Sequence, residues 1–397
     1  MLVGFLIVVT IFIIKKIKVD EFVLIFVGIF ILLFILQSID TKIIPYNSQI
    51  GFIIRILNAY FIIKIIGEDF LKYYVNLIII FSLISFVFYI PILISPSFEQ
   101  LLINKVAPNF AYYDRSQEIY SAAPHFIIYT INSDTHNHII ARNSGPFWEG
   151  GAFAGFLMVA LIFNFILSKS FFKNKKSIIL TTALLTTLST SGYLAFVILI
   201  LFFVLKYTKH LLTKFVWIFS IVILFYIGYT QLIFLGAKIS KQLEYSFSAS
   251  PDGLERTRFV SAMLDIKVLV ENPILGTGLA ALDYSSAIMK KINHRNNGIT
   301  IFARKFGILI FILFFFSMYR SFLTLCFMNN IKPSFSIIIM VIIFTIGFSQ
   351  NYFYKSFFIS LVFLNFIYFE SFPPLRIIKL NKLKLIERYQ KDVLKQS

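Results

Sequence analysis

Apolar residues along this chain come in unbroken runs rather than in stripes of helical or strand period. Runs near 2–14, 22–36, 50–66, 75–95, 151–168, 177–206, 215–235, 299–319, 334–349 and 356–372 are separated by short polar stretches and by two long ones, 96–150 and 236–298. Backbone in hydrocarbon must satisfy its own hydrogen bonds, so these runs predict α-helices that cross a bilayer. A span takes roughly 20 residues, and the first two runs are shorter than that. The run 177–206 is too long for one crossing, since a straight helix of that length reaches about 45 Å. Ser189-Thr190-Ser191-Gly192 supplies a break in its middle, so it predicts a hairpin, 177–190 followed by 192–206. The pattern therefore gives an all-α polytopic membrane protein. It has about eleven spans (10–12) in a single integral membrane domain over 1–397.

Basic residues orient the spans. Lys and Arg gather in short cytoplasmic loops. Lys169, Lys173, Lys175 and Lys176 form one such loop, and Lys206, Lys209 and Lys214 another. With both inside, Lys15, Lys16, Lys18, Lys64, Lys72, Arg320 and Lys332 also fall inside, as does a basic cytoplasmic tail, 373–397. The N-terminus falls outside. So do both long loops, 96–150 and 236–298, which places any chemistry on the outer face. Lys64 snorkels inward on this reading; Arg55 either snorkels outward or faces the interior.

Both long loops are expected to be structured and to contain short amphipathic helices. Residues 252–272 read as a short amphipathic helix, with Asp252 and Glu255 as a capping box and Phe259, Met263, Ile266 and Val270 on one apolar face. Pro273 stops it, and Gly276 and Gly278 turn the chain. Such a helix lies on the membrane surface or covers a cavity.

Composition narrows the classes. Of 397 residues, 58% are hydrophobic and 14% charged, which excludes a soluble domain, a disordered chain and a disulfide scaffold. The net charge of +18 is mostly topology signal, and no nucleic-acid motif accompanies it. The single cysteine, Cys326, reads as a small apolar residue. There is no P-loop and no GxGxxG unit, so no nucleotide cofactor is implied. Asp134-Thr135-His136-Asn137-His138 has metal-ligand residue types but no clear third and fourth ligand; it reads as polar loop, and no metal is expected.

Several outer residues are suited to chemistry. Glu149 precedes a span, where a helix dipole favours its ionised form; it is either a helix cap or a base able to take a sugar hydroxyl proton. His294 stands where the chain re-enters the membrane, and is either a base or a hydrogen-bonded cap. Arg142 lies close to the membrane. Arg256 and Arg258 sit in the first turn of the amphipathic helix, where cations oppose the dipole, so another group should be using them. Guanidinium forks bind phosphate oxygens bidentately, although a solvated charge is the alternative for each. Trp148 is either an interfacial aromatic or a sugar-stacking surface.

Four stretches, in order, resemble the O-antigen polymerase and ligase superfamily of bacterial inner-membrane proteins. Arg142-Asn143-Ser144-Gly145-Pro146-Phe147-Trp148-Glu149 is similar to the R-x-x-G-x-F-x-E-P head of a span, with Gly150 in place of the Pro. Leu188-Ser189-Thr190-Ser191-Gly192 is similar to the S-R-[ST]-G helix break, with Thr190 in place of Arg. Glu255-Arg256-Thr257-Arg258 leading to Asn272-Pro273-Ile274-Leu275-Gly276-Thr277-Gly278 is similar to R…P-L-L-G-x-G. Asn293-His294-Arg295-Asn296 followed by Phe306-Gly307-Ile308-Leu309 is similar to H-N…G-x-x-G, with Arg295 interposed.

The resemblance covers roughly 140–320. It implies a metal-independent, cofactor-free glycosyltransferase acting on undecaprenyl-pyrophosphate-linked oligosaccharide, as donor and acceptor, at the periplasmic face of the inner membrane. Arg142, Arg256 and Arg258 would hold the pyrophosphate. Glu149 or His294 would deprotonate the acceptor, and Trp148 and Asn296 would touch the sugars. A chain-length regulator is a candidate partner. Phe147-Trp148-Glu149 favours a polymerase over a ligase that transfers glycan to lipid A-core. A flippase is the reading from another class; the absence of repeated halves and the scarcity of intramembrane charge count against it.

Overall fold

The computed structural model describes residues 2–110, 125–132, 141–169, 174–207, 258–279 and 297–368, with five single positions between 210 and 219. It is predominantly helical. The helices are α1 (Leu2–Ile14), α2 (Glu21–Thr41), α3 (Tyr46–Ile66), α4 (Phe70–Ile94), α5 (Pro96–Leu101), α6 (Gly150–Ser168), α7 (Lys175–Thr186), α8 (Thr190–Tyr207), α9 (Arg258–Glu271), α10 (Gly298–Met328), α11 (Ser334–Ser349) and α12 (Ser356–Ser360). A 3-10 turn over Leu361–Tyr368 continues α12.

Among the described residues four helical stretches are long and apolar enough to cross a membrane: Glu21–Thr41, Tyr46–Ile94, Gly150–Ser168 and Gly298–Met328. Shorter apolar helices at Leu2–Ile14, Thr190–Lys206, Ser334–Ser349 and Ser356–Tyr368 accompany them. The chain is thus a multi-pass, membrane-type helical protein. The expected span 215–235, the start of the amphipathic helix at 252–257 and the tail 373–397 lie outside the described residues.

α6 is the central helix: every residue from Gly150 to Ile166 is buried. Lipid tails are as apolar as leucine, so helices associate in a bilayer through close packing rather than hydrophobic expulsion. The 49 phenylalanines supply much of that packing. Phe52 and Phe306 approach to 4.8 Å between ring centroids and Phe302 and Phe314 to 4.6 Å, joining α3 to α10 and closing the kink within α10.

The run 177–206 is broken as expected, at a slightly different place. α7 ends at Thr186, Leu188 takes a left-handed φ of 48°, and α8 starts at Thr190. At the other end of α7, Asn164 of α6 donates to Ser177 and accepts from Asn174. The buried amides there are satisfied by one another.

A second break lies in α10. Gly307 adopts φ 77°, ψ 167°, and the ladder opens beside it. The segment after α9 fills the opening. Thr277 N–H donates to the Arg304 carbonyl (2.8 Å), Gly278 N–H to that of Lys305 (3.0 Å), and Ile308 N–H to that of Pro273 (2.8 Å). Gln37 of α2 donates to the Leu275 and Lys305 carbonyls as well. Irregular backbone at membrane depth is tolerated where protein satisfies it. A side chain at 307 would run into the Ile274 carbonyl, so only glycine suits that position.

The 96–150 stretch contains a small sheet as well as helix. Three short antiparallel strands, β1 (His125–Phe126), β2 (Tyr129–Asn132) and β3 (Arg142–Asn143), pair in the order β1-β2-β3. Tyr89 and Ile92 of α4, Leu102, Phe126, Tyr129 and Ile131 form a small core of their own under this sheet. The Lys64 amine pairs with Asp20 at 3.2 Å with the lysine side chain only 6% exposed, and Tyr60 donates to the same carboxylate at 2.6 Å.

Candidate functional site

β3 delivers the first residues. Asn143 is fully buried, and its amide donates to Ser85 Oγ on α4 and Thr186 Oγ1 on α7, each at 2.9 Å. Ser85 stands nine residues before the end of α4, about 14 Å of helix rise, so β3 is seated in a recess below the rim of that helix. Arg142, beside it, donates from Nε to the Thr187 carbonyl at 3.3 Å. The α7–α8 break and the head of α6 therefore meet at one level. Gly150 is the residue between them: a Cβ there would stand 2.6 Å from the Thr187 carbonyl. That contact explains glycine where the resembled pattern has proline.

After the turn at Gly145 and Pro146, Phe147 stacks on Phe156 at 4.2 Å and Phe153 at 5.3 Å, which fixes the approach to α6. Trp148 donates from its indole to Gln350 at 3.3 Å, and the Lys355 amine lies 4.5 Å from the centre of its ring. Glu149 occupies the position that caps α6, with extended backbone (φ −162°, ψ 163°), yet its side chain makes no cap hydrogen bond. The carboxylate is half-buried and has no hydrogen-bond or ion-pair partner among the described residues. One of its oxygens and the Gln350 amide flank Gly151, 3.2 and 3.0 Å from where a Cβ would stand.

Arg258 opens α9 and belongs to the same cluster. Burial pulls its guanidinium below the ordinary value, the Glu149 carboxylate opposes that, and Arg142 adds to it. The three charged groups are thus within electrostatic reach of one another. α9 presents an inverted amphipathic pattern. Its apolar residues Phe259, Met263, Ile266 and Val270 are all exposed, at 50–71%. The opposite face, with Ser261, Ala262 and Asp265, is buried. Asp265 lies two turns beyond Arg258 on the same stripe. It pairs with Arg304 of α10 at 2.9 Å and accepts from Thr300 at 2.9 Å. α9 therefore offers its apolar face outward and its polar face to the protein.

The turn between α11 and α12 completes the cluster. Tyr352 is fully buried and donates to the Gly151 carbonyl at 2.7 Å. Arg55 of α3 donates to the Tyr354 carbonyl at 3.3 Å, bracing the same turn. Burial, aided by Arg55, pulls the Lys355 amine below its ordinary value.

Arg142, Trp148, Glu149 and Arg258 are therefore brought together. Arg256, His294 and Asn296 lie outside the described residues, as does Asp134–His138. Sequence reasoning missed Gln350, Tyr352 and Lys355. A signal existed, because 350–355 is a polar break between two apolar runs. It also missed Asp265, whose spacing of seven from Arg258 marks a shared helix face. Comparison with protein-family models, curated proteins and solved structures finds no match to this chain.

Proposed function

We propose that this chain is a metal-independent glycosyltransferase that polymerises undecaprenyl-pyrophosphate-linked oligosaccharide repeat units at the periplasmic face of a bacterial inner membrane. The observation that carries this reading is the Glu149 carboxylate, which stands at the head of α6, unpartnered among the described residues and in electrostatic reach of Arg258. A carboxylate used only to cap would bond to the amides of the first turn.

In the proposed reaction Glu149 takes the proton of an acceptor sugar hydroxyl as its oxygen bonds to the anomeric carbon of the donor. The bond from that carbon to the pyrophosphate oxygen breaks, and the electron pair leaves with the pyrophosphate. Arg142 and Arg258 stabilise that anion, aided by Arg256. Such base catalysis contributes roughly 10²–10⁴ in rate, and preorganised cations several kcal/mol more. His294 is the second candidate for the base. The proposal includes about eleven spans, a periplasmic N-terminus and a cytoplasmic C-terminus.

Loss of the protein tests the class of reaction. Single-repeat glycan on lipid A-core supports polymerase. Accumulated long lipid-linked polymer means ligase, and repeat units trapped on the cytoplasmic side mean flippase.

A further inference from the structure

The apolar face of α9 is largely uncovered among the described residues. Phe259, Met263, Ile266 and Val270, spaced three and four apart, form one stripe, and all are exposed. Lys267 and Glu271 flank that stripe and are exposed as well. The third face carries Ser261 and Asp265, both buried, and the pair of Asp265 with Arg304 holds it to α10. The helix thus has a protein side, an apolar stripe and a charged edge. A helix enclosed by protein has no use for the charged edge, and a helix in water has none for the stripe. An amphipathic helix at a membrane interface uses both.

Its neighbours set its level. Phe259 meets Phe348, one residue before the end of α11, at 5.6 Å between ring centroids, and Asp265 accepts from Thr300 in the first turn of α10. The head of α9 is therefore at the end of the helix bundle. Its foot goes deeper, because the Pro273 carbonyl accepts from Ile308, ten residues into α10, and the Ile274 carbonyl abuts Gly307. Ile274, 59% exposed, is thereby brought alongside Ile308 and Leu309, where an exposed apolar stripe of α10 begins that runs on to Ile312 and Phe316. α10 is long and apolar enough to cross a membrane, so the exposed apolar residues of its span meet acyl chains. The α9 stripe continues that surface.

We propose that α9 is docked on the bilayer, with Phe259, Met263, Ile266 and Val270 among the acyl chains of the leaflet at this end of the bundle and Lys267 and Glu271 among headgroups and water. The partner is a lipid surface, met through its hydrocarbon rather than through one headgroup. Arg258 opens the helix, so the same docking holds one cation of the candidate site at the level of the membrane. The docking holds whatever reaction the site performs.

Spin labels on the full chain in phosphatidylcholine vesicles test this, attached one at a time through Met263→Cys and Val270→Cys on the stripe and Lys267→Cys on the edge. Cys326 is buried and adds little background label. Dissolved oxygen concentrates in hydrocarbon, and a neutral nickel chelate stays in water. Labels on the stripe should relax several-fold faster with oxygen than with nickel, and the label on the edge should show the reverse. Faster relaxation with nickel on the stripe means that it faces water and overturns the proposal. Protection of the stripe from both reagents means that protein covers it, either another segment of this chain or a second copy, and overturns the proposal too. Ile266→Cys replaces either stripe variant that fails to reach the membrane, so the comparison is always made.

Discussion

Arg142 Nε and the Thr187 carbonyl lie 3.3 Å apart, and through that contact β3 is fastened to the break between α7 and α8. The break leaves carbonyls without helical partners, and one of them takes a guanidinium. A single Nε bond leaves the other nitrogens of the fork available to a ligand. Arg142→Lys keeps the charge but loses the fork. Polymer yield should fall at least tenfold at normal protein level. Full polymer with the lysine variant would make Arg142 a structural tether only.

Gly150 sits 2.6 Å, at its would-be Cβ, from the same Thr187 carbonyl. Overpacking of this kind costs about 1–3 kcal/mol. Gly150→Ala should lower the unfolding temperature in detergent and reduce polymer together, because the clash lies under Glu149. An unshifted transition would show that the α7–α8 turn yields freely.

Asp265 and Arg304 hold α9 against α10 through a pair that is almost wholly buried. Removing one partner of such a pair costs about 3–5 kcal/mol. Asp265→Asn should therefore loosen α9 and move Arg258. Cys326 is buried, so a cysteine placed at Ser261, itself 2% exposed, reports the change with little background. Maleimide labelling of Ser261→Cys should be slow in the parent chain and markedly faster with Asp265→Asn added. Equal rates would mean that other contacts dock the helix.

How far the sequence reached depends on the length scale of each signal. Apolar runs record burial or lipid contact one residue at a time, so most helices stand where the runs do. Arg142, Glu149 and Arg258 were legible because a charge beside an apolar run must have a reason. The inverted polarity of α9 was half legible. The apolar stripe is plain in the sequence, but the side it faces depends on Asp265 meeting Arg304, 39 positions away. The same holds for Lys64, whose partner Asp20 stands just before α2. The sheet at 125–143 was missed because strands of two to four residues carry too few positions for alternation to register. The turn at 350–355 was read only as a gap between runs, since its role comes from packing on α6.

Topology is open to a direct check. Reporter fusions near residues 120 and 265 should read outside, and those near 174 and 210 inside. Opposite sides at 174 and 210 would make 177–206 a single crossing and invert every later span.

The most direct measurement is the amount and length of polymer formed by Glu149→Gln, with the protein level in the membrane measured in parallel. Glutamine preserves size and much of the hydrogen bonding but removes the charge, and the unaltered side chain makes no cap bond whose loss could unfold α6. A catalytic base predicts a loss of roughly 100-fold or more in polymer, with normal protein level and residual turnover. A normal ladder of normal abundance would contradict that role and leave His294 as the remaining candidate.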